Sequence, residues 1–173
     1  MKLFEKILMA SEDVQSYLVS GRNDAAEMAD GLVVTIGDLC NHEVYAGLKD
    51  MNTRAVVAGM QAGKRYGIVD YVGVNEADIM GVRYRVGEKV AGLACPKGVA
   101  TRVRIPQVGD TFFLGAENFA TAPVAGTEYG ADANGAYATT GVGNFKIKVE
   151  YITDKIMGQV NDGKKCYCTV VAI

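Results

Sequence analysis

From Asp30 onward the apolar residues of this chain tend to recur at every second position, the rhythm of strands whose side chains point alternately to two faces. The clearest case is Phe145-Lys146-Ile147-Lys148-Val149-Glu150-Tyr151. Leu32-Val33-Val34-Thr35-Ile36 is β-branched and bounded by Gly31 and Gly37, which predicts a buried strand. Further strands are predicted at 54–58, 66–72, 81–86, 101–105, 111–114, 145–152 and 165–173. Short strands at this spacing, with no alternating βαβ pattern, predict a mainly β fold, an antiparallel β-barrel or sandwich.

Residues 1–29 follow another rhythm. Leu3, Phe4, Ile7 and Leu8 fall at helical spacing, and Val14, Tyr17 and Leu18 repeat it after Ser11-Glu12-Asp13, an N-cap followed by acidic residues. Ser20-Gly21 ends the run. The division expected is a short N-terminal helix or arm over 1–29 and a β-rich domain over 30–173. Between the strands at 111–114 and 145–152 lies a long stretch rich in Ala, Gly and Thr, whose only large side chains from Gly126 to Gly143 are Tyr129 and Tyr137. With so few reactive groups, it reads as a surface for other proteins to cover rather than a pocket for chemistry.

Composition narrows the classes. The chain has 173 residues, 49% of them hydrophobic, enough for a real core. Its 21 glycines against 3 prolines indicate many tight turns. Lys and Arg number 18 against 20 Asp and Glu, a net charge of -2 that argues against a dedicated nucleic-acid binder. No apolar run approaches the roughly 20 residues that cross a bilayer, and Glu5 and Lys6 interrupt the apolar N-terminus, so no signal peptide is expected. The four cysteines, Cys40, Cys95, Cys166 and Cys168, form no dense framework and are expected as free thiols.

Candidate chemistry thins out on inspection. Gly59-Met60-Gln61-Ala62-Gly63-Lys64-Arg65 has three residues between its glycines where a phosphate loop has four, and Arg65 where the magnesium-binding hydroxyl belongs. It reads as a turn. Gly141-Val142-Gly143 lacks the third glycine of a dinucleotide fingerprint. Cys166 and Cys168 share one strand face, yet a zinc site needs a second pair, and Cys40 with His42 is too closely spaced to supply it. The two C-terminal cysteines are expected as small apolar residues on a buried face. His42, the single histidine, has no nucleophile and acidic partner beside it and is expected in a polar loop. No catalytic, cofactor or metal residue is therefore assigned. Arg83 with Arg85, and Arg102 with Arg104, each put two guanidiniums on one face of a strand. They are either a solvated face or a surface for docking on acidic groups.

The region 30–173 resembles the small capsid decoration, or cement, proteins of tailed bacteriophages. The residues that carry the resemblance are Asp30-Gly31-Leu32-Val33-Val34-Thr35-Ile36-Gly37-Asp38-Leu39, then Gly109-Asp110-Thr111-Phe112-Phe113-Leu114 with Asn118-Phe119. The small-residue stretch to Gly143, 145–157 and the terminal Val170-Val171-Ala172-Ile173 complete it. The resemblance implies a non-enzymatic virion protein, made in the host cytoplasm and placed on the capsid exterior, where it bridges major capsid subunits. It implies the major capsid protein as partner and self-association about a local symmetry axis, as in a trimer. Arg83, Arg85, Arg102 and Arg104 are the expected capsid contacts. The alternatives are a small β-barrel ligand-binding module or enzyme, with Tyr66, Tyr71, Tyr84 and the Arg side chains lining its mouth, and another virion part such as a head-tail connector or tail-tube protein.

Overall fold

The strand predicted at 32–36 forms, and it runs on to Asn41 because a bulge lets it turn past Gly37 and Asp38. A computed structural model describes residues 2–71, 94–154 and 164–173 in full, and the backbone of 76–79 and 82–85. In chain order the strands are β1 (Phe4–Leu8), β2 (Leu18–Arg22), β3 (Met28–Ala29), β4 (Val33–Asn41) and β5 (Lys49–Ala58). There follow β6 (Tyr66–Asp70), β7 (Glu76–Ile79), β8 (Val82–Arg85), β9 (Ala94–Cys95) and β10 (Ala100–Arg104). The last are β11 (Thr111–Gly115), β12 (Glu128–Ala131), β13 (Tyr137–Ala138), β14 (Lys146–Thr153) and β15 (Lys165–Ala172).

Two bodies of sheet result. One is a six-stranded antiparallel sheet in the order β1-β11-β15-β14-β12-β13. The other is a closed barrel, β10-β2-β5-β4-β6, antiparallel except where β2 runs parallel to β5. Small ladders join β3 to β9 and β7 to β8. The fold is mainly β, as the period-two pattern predicts.

Alternation decides what each body buries. On the sheet, Phe112 and Leu114 of β11 lie opposite Cys168 and Cys166 of β15, and Val149 of β14 lies opposite Cys168. All five are fully buried in one cluster with Phe4, Tyr129, Tyr137 and Phe145. The barrel has its own core of Val34, Ile36, Val56, Val69 and Val103. Five strands leave a narrow interior, and Val103 fills it: a Cβ at Gly21 or at Gly67 would come within 2.6 Å of its methyls.

The N-terminal segment departs from the expected helix or arm. Its helical character is confined to two 3-10 turns, Ala10–Glu12 and Gln15–Tyr17, while the flanking residues are strands. β1 is the edge of the sheet, paired to β11, and β2 is a stave of the barrel between β10 and β5. Residues 1–29 are thus woven into both bodies, and the fold does not divide at residue 30. The helical spacing of Leu3, Phe4, Ile7 and Leu8 was a coincidence of composition: Leu3 and Phe4 are buried, whereas Ile7 and Leu8 are exposed.

Part of the small-residue stretch is not left at the surface: 129–131, 135 and 137 are buried where the barrel meets the sheet, whereas 120–122 and 124–126 are exposed. The Val33 amide donates to the Gly135 carbonyl at 3.0 Å, and the Met60 amide donates to the Asp132 carbonyl at 3.3 Å. Asp132 shapes the turn by accepting the Asn134 and Ala136 amides on Oδ1 at 2.8 and 2.9 Å. A Cβ at Gly135 would lie 2.3 Å from the Val33 carbonyl oxygen, and one at Gly141 would lie 2.5 Å from the Gly130 Cα. Small residues here let the chain approach itself.

Candidate functional site

Of the four candidate arginines, Arg102 and Arg104 have described side chains, and these two differ in exposure. Arg83 and Arg85 lie on β8, opposite Asp78 and Glu76 of β7 in register, and their side chains fall outside the described residues. Arg102 and Arg104 do point away from the barrel interior, as alternation around the buried Val103 requires. The 3-10 turn Ala10–Glu12 covers Arg104, however, leaving it 3% exposed. Its Nε donates to Asp70 Oδ2 at 2.7 Å and its Nη1 to Ser11 Oγ at 2.9 Å. Arg104 is a buried anchor, which corrects its assignment as a surface contact. Arg102 stays half-exposed, with Nε 3.6 Å from the same Asp70 oxygen, at the rim of an open groove that also includes Leu18, Ser20 and Tyr71.

The described tyrosines of the ligand-pocket alternative, Tyr66 and Tyr71, lie in different places. Tyr66 packs against Phe145 in the core of the sheet, with ring centroids 5.2 Å apart, while Tyr71 packs on the barrel core. Tyr84 lies outside the residues whose side chains are described.

His42 sits at the start of the β4–β5 loop, where its Nδ1 accepts the amides of Val44 and Tyr45 at 3.1 and 3.2 Å and its ring packs on Tyr45. That nitrogen is occupied in holding the loop. The loop beyond it exposes Val44, Tyr45 and Leu48, and Met51 at the start of β5 is exposed as well.

All four cysteines are free and buried. Cys166 and Cys168 face the core, as the strand alternation predicts, and burial pushes the Cys166 thiol up to about 11. Burial also raises Cys168 well above the ordinary thiol value, with the neighbouring Cys166 adding to the effect. Cys40 lies instead beside Arg22, its pKa also raised by burial. Among the described residues no three metal-ligating side chains converge.

What the fold does bring together are the segments that carry the family resemblance. Asn118 Nδ2 donates to the Asp30 carbonyl at 2.7 Å, joining the Asp30-Gly31 and Asn118-Phe119 motifs. Their side-chain oxygens then receive the N-terminal strand: Leu3 N donates to Asn118 Oδ1 at 2.9 Å and Phe4 N to Asp30 Oδ2 at 2.7 Å. Asp110, of the Gly109-Asp110 motif, accepts the Ala10 amide at 2.9 Å and the Gln107 amide at 2.8 Å. These three buried side chains are structural staples. The sequence reading found the motifs but not this role, because the partners are backbone amides of a segment expected to be separate.

A group of cations also escaped notice. Arg54, Lys64 and Arg65 share one groove beside β4, although Lys64 and Arg65 were visible in the rejected phosphate loop. No family model, curated protein or solved structure matches this chain.

Proposed function

We propose that the protein is a non-enzymatic capsid decoration protein, which binds the outside of a phage capsid and stabilises the shell by bridging major capsid subunits. The observation that carries this reading is the meeting of the resembling motifs, Asp30-Gly31 with Asn118-Phe119, at one buried junction that pins the chain's start. In this fold the two motifs lie against one another, which supports reading them together. A rigid β-rich body suits the task, since a clamp needs area and stiffness rather than reactive groups. Binding several subunits at once also makes a modest contact hold firmly. A clamp that contacts two subunits gains its full free energy only where the lattice presents both, so it stabilises that lattice by mass action.

The test mixes purified protein with expanded capsids and with unassembled capsid protein. Capsids should take up the protein in hundreds of copies and release their DNA at a higher temperature, while unassembled subunits bind weakly. No uptake by capsids, or equal binding to free subunits, would sink the reading. A few tens of copies would instead mark a connector.

A further inference from the structure

We propose that the groove between the β4 bulge, β5 and the 61–65 turn is the docking site for an acidic, extended segment of a protein partner. The groove has a volume of about 480 Å³ and is open to solvent. Ile36 pairs with Val56 and Leu39 with Arg54, so β4 carries one extra residue there and bends outward at Gly37 and Asp38. Arg54 is held against the bulge, with its Nη1 donating to the Gly37 carbonyl at 3.2 Å.

The turn opposite is clamped as well. Gln61 N donates to Thr35 Oγ1 at 3.1 Å, Lys64 N to the Gln61 carbonyl at 3.2 Å, and Ile36 N to the Arg65 carbonyl at 2.8 Å. Lys64 and Arg65 therefore project from a fixed backbone, and both are exposed. Asp38 is the one carboxylate in the lining.

What distinguishes the groove is that three cations without an ion pair share one lining. Lys6, Arg22, Lys146, Lys148 and Lys165 each reach a carboxylate within 4 Å. Among the described residues Arg54, Lys64 and Arg65 reach none; Lys49, Lys97 and Lys164 reach none either, but they lie outside this groove. A chain of net charge -2 that leaves three cations unpaired in one groove is complementary to carboxylates locally, and it lacks the broad basic field that polynucleotides select. Ala55 and Val57, two apart on β5, add an exposed apolar wall along the groove. An extended segment with carboxylates toward Arg54, Lys64 and Arg65 and an apolar residue toward Val57 matches both features. Arginine also offers the forked donors that take a carboxylate with two bonds. The proposal rests on the decoration reading only for the identity of the partner.

The test uses the full chain and a fluorescein-labelled hexaglutamate peptide at low salt, read by anisotropy. Arg54→Gln, Lys64→Gln and Arg65→Gln combined should weaken binding about tenfold, because three exposed ion pairs together contribute roughly that factor. Lys146→Gln with Lys148→Gln, outside the groove, should change it by less than about twofold. Lys64→Glu with Arg65→Glu leaves the Arg54 bond intact; it should abolish hexaglutamate binding and confer hexalysine binding, which also reports that the fold survives. Equal weakening by the two neutral sets, or no charge swap, overturns the groove. Tighter binding of single-stranded oligothymidylate through the same cations overturns the acidic-peptide assignment. Peptide binding as expected, with no capsid uptake by the wild type, supports the groove and defeats the decoration reading. Full capsid decoration by variants that have lost the peptide overturns the groove as a capsid contact and leaves decoration standing.

Discussion

Asn118 donates its side-chain N–H to the carbonyl of Asp30 across 88 residues of chain, and the two side chains together receive the amides of Leu3 and Phe4. Both polar residues are almost wholly buried, so each bond replaces one that water would otherwise supply. Asn118→Ala removes the acceptor of the buried Leu3 amide, at a cost of about 1–3 kcal/mol for one orphaned buried group. The urea midpoint should fall with an unchanged slope. A midpoint within error of wild type would mean that β1 is held by other contacts.

The strands after residue 30 were legible because each buries one face, which imposes period two on the sequence. Their ends were not. β4 and β5 extend to Asn41 and from Lys49, past bulges near Gly37–Asp38 and Asp50–Thr53 that break the alternation. The N-terminal strand was hidden for another reason: its burial is limited to its first residues, so Leu3, Phe4, Ile7 and Leu8 fit either period, and pairing with β11 decides the matter. Glycine content announced close backbone approach in the small-residue stretch. It could not say that the approaching backbone was the chain's own.

Arg102 and Arg104 look alike in sequence and should behave in opposite ways. Arg104→Ala leaves the Asp70 carboxylate buried after removal of its 2.7 Å partner, and breaking a buried pair costs about 3–5 kcal/mol. Arg102 is half-exposed and 3.6 Å from that oxygen, so Arg102→Ala should cost less than about 1 kcal/mol. Equilibrium denaturation of the two variants checks this. Equal losses would show that the two arginines share the Asp70 charge.

Buried thiols give the stability a definite alkaline limb. In the folded chain the Cys166 pKa is raised from 9.0 to about 11, and that of Cys168 is also raised well above its ordinary value. Above about pH 9 the unfolded chain loses these protons while the folded chain keeps them, so folding stability is fully present below that pH and falls as pH rises toward 11. Tyr137, wholly buried and also raised, acts in the same direction from its ordinary value of 10.0. The denaturation midpoint should decline across this window, and Cys166→Ala with Cys168→Ala should flatten the decline. Native protein should also resist a thiol reagent until it is unfolded. Rapid modification of either cysteine in the native state would contradict the burial argument.

Two glycines of the same turn region separate backbone strain from crowding. Gly59 and Gly63 both have positive φ, at 94° and 72°, so alanine at either meets the left-handed penalty of about 1–2 kcal/mol. Around Gly63 nothing lies within 4 Å of a built Cβ, and that penalty is the whole expected cost. At Gly59 the Cβ would fall 1.9 Å from the Ala133 carbonyl oxygen, a backbone atom that cannot rotate away. The Gly59 amide also donates to Val33 at 2.9 Å, and its carbonyl accepts the Thr35 hydroxyl at 2.7 Å, so the glycine cannot retreat without losing the β4 contact. Overpacking of this kind adds about 1–3 kcal/mol, which puts Gly59→Ala about 2 kcal/mol below Gly63→Ala. The loss should appear first at the junction: hydrogen exchange at the Met60 and Val33 amides, which donate to Asp132 and Gly135, should speed up before exchange at the barrel amides does. If the two alanine variants melt together, the 132–136 turn yields easily, and the barrel and the sheet are joined by the staples at Asp30, Asp110 and Asn118 instead.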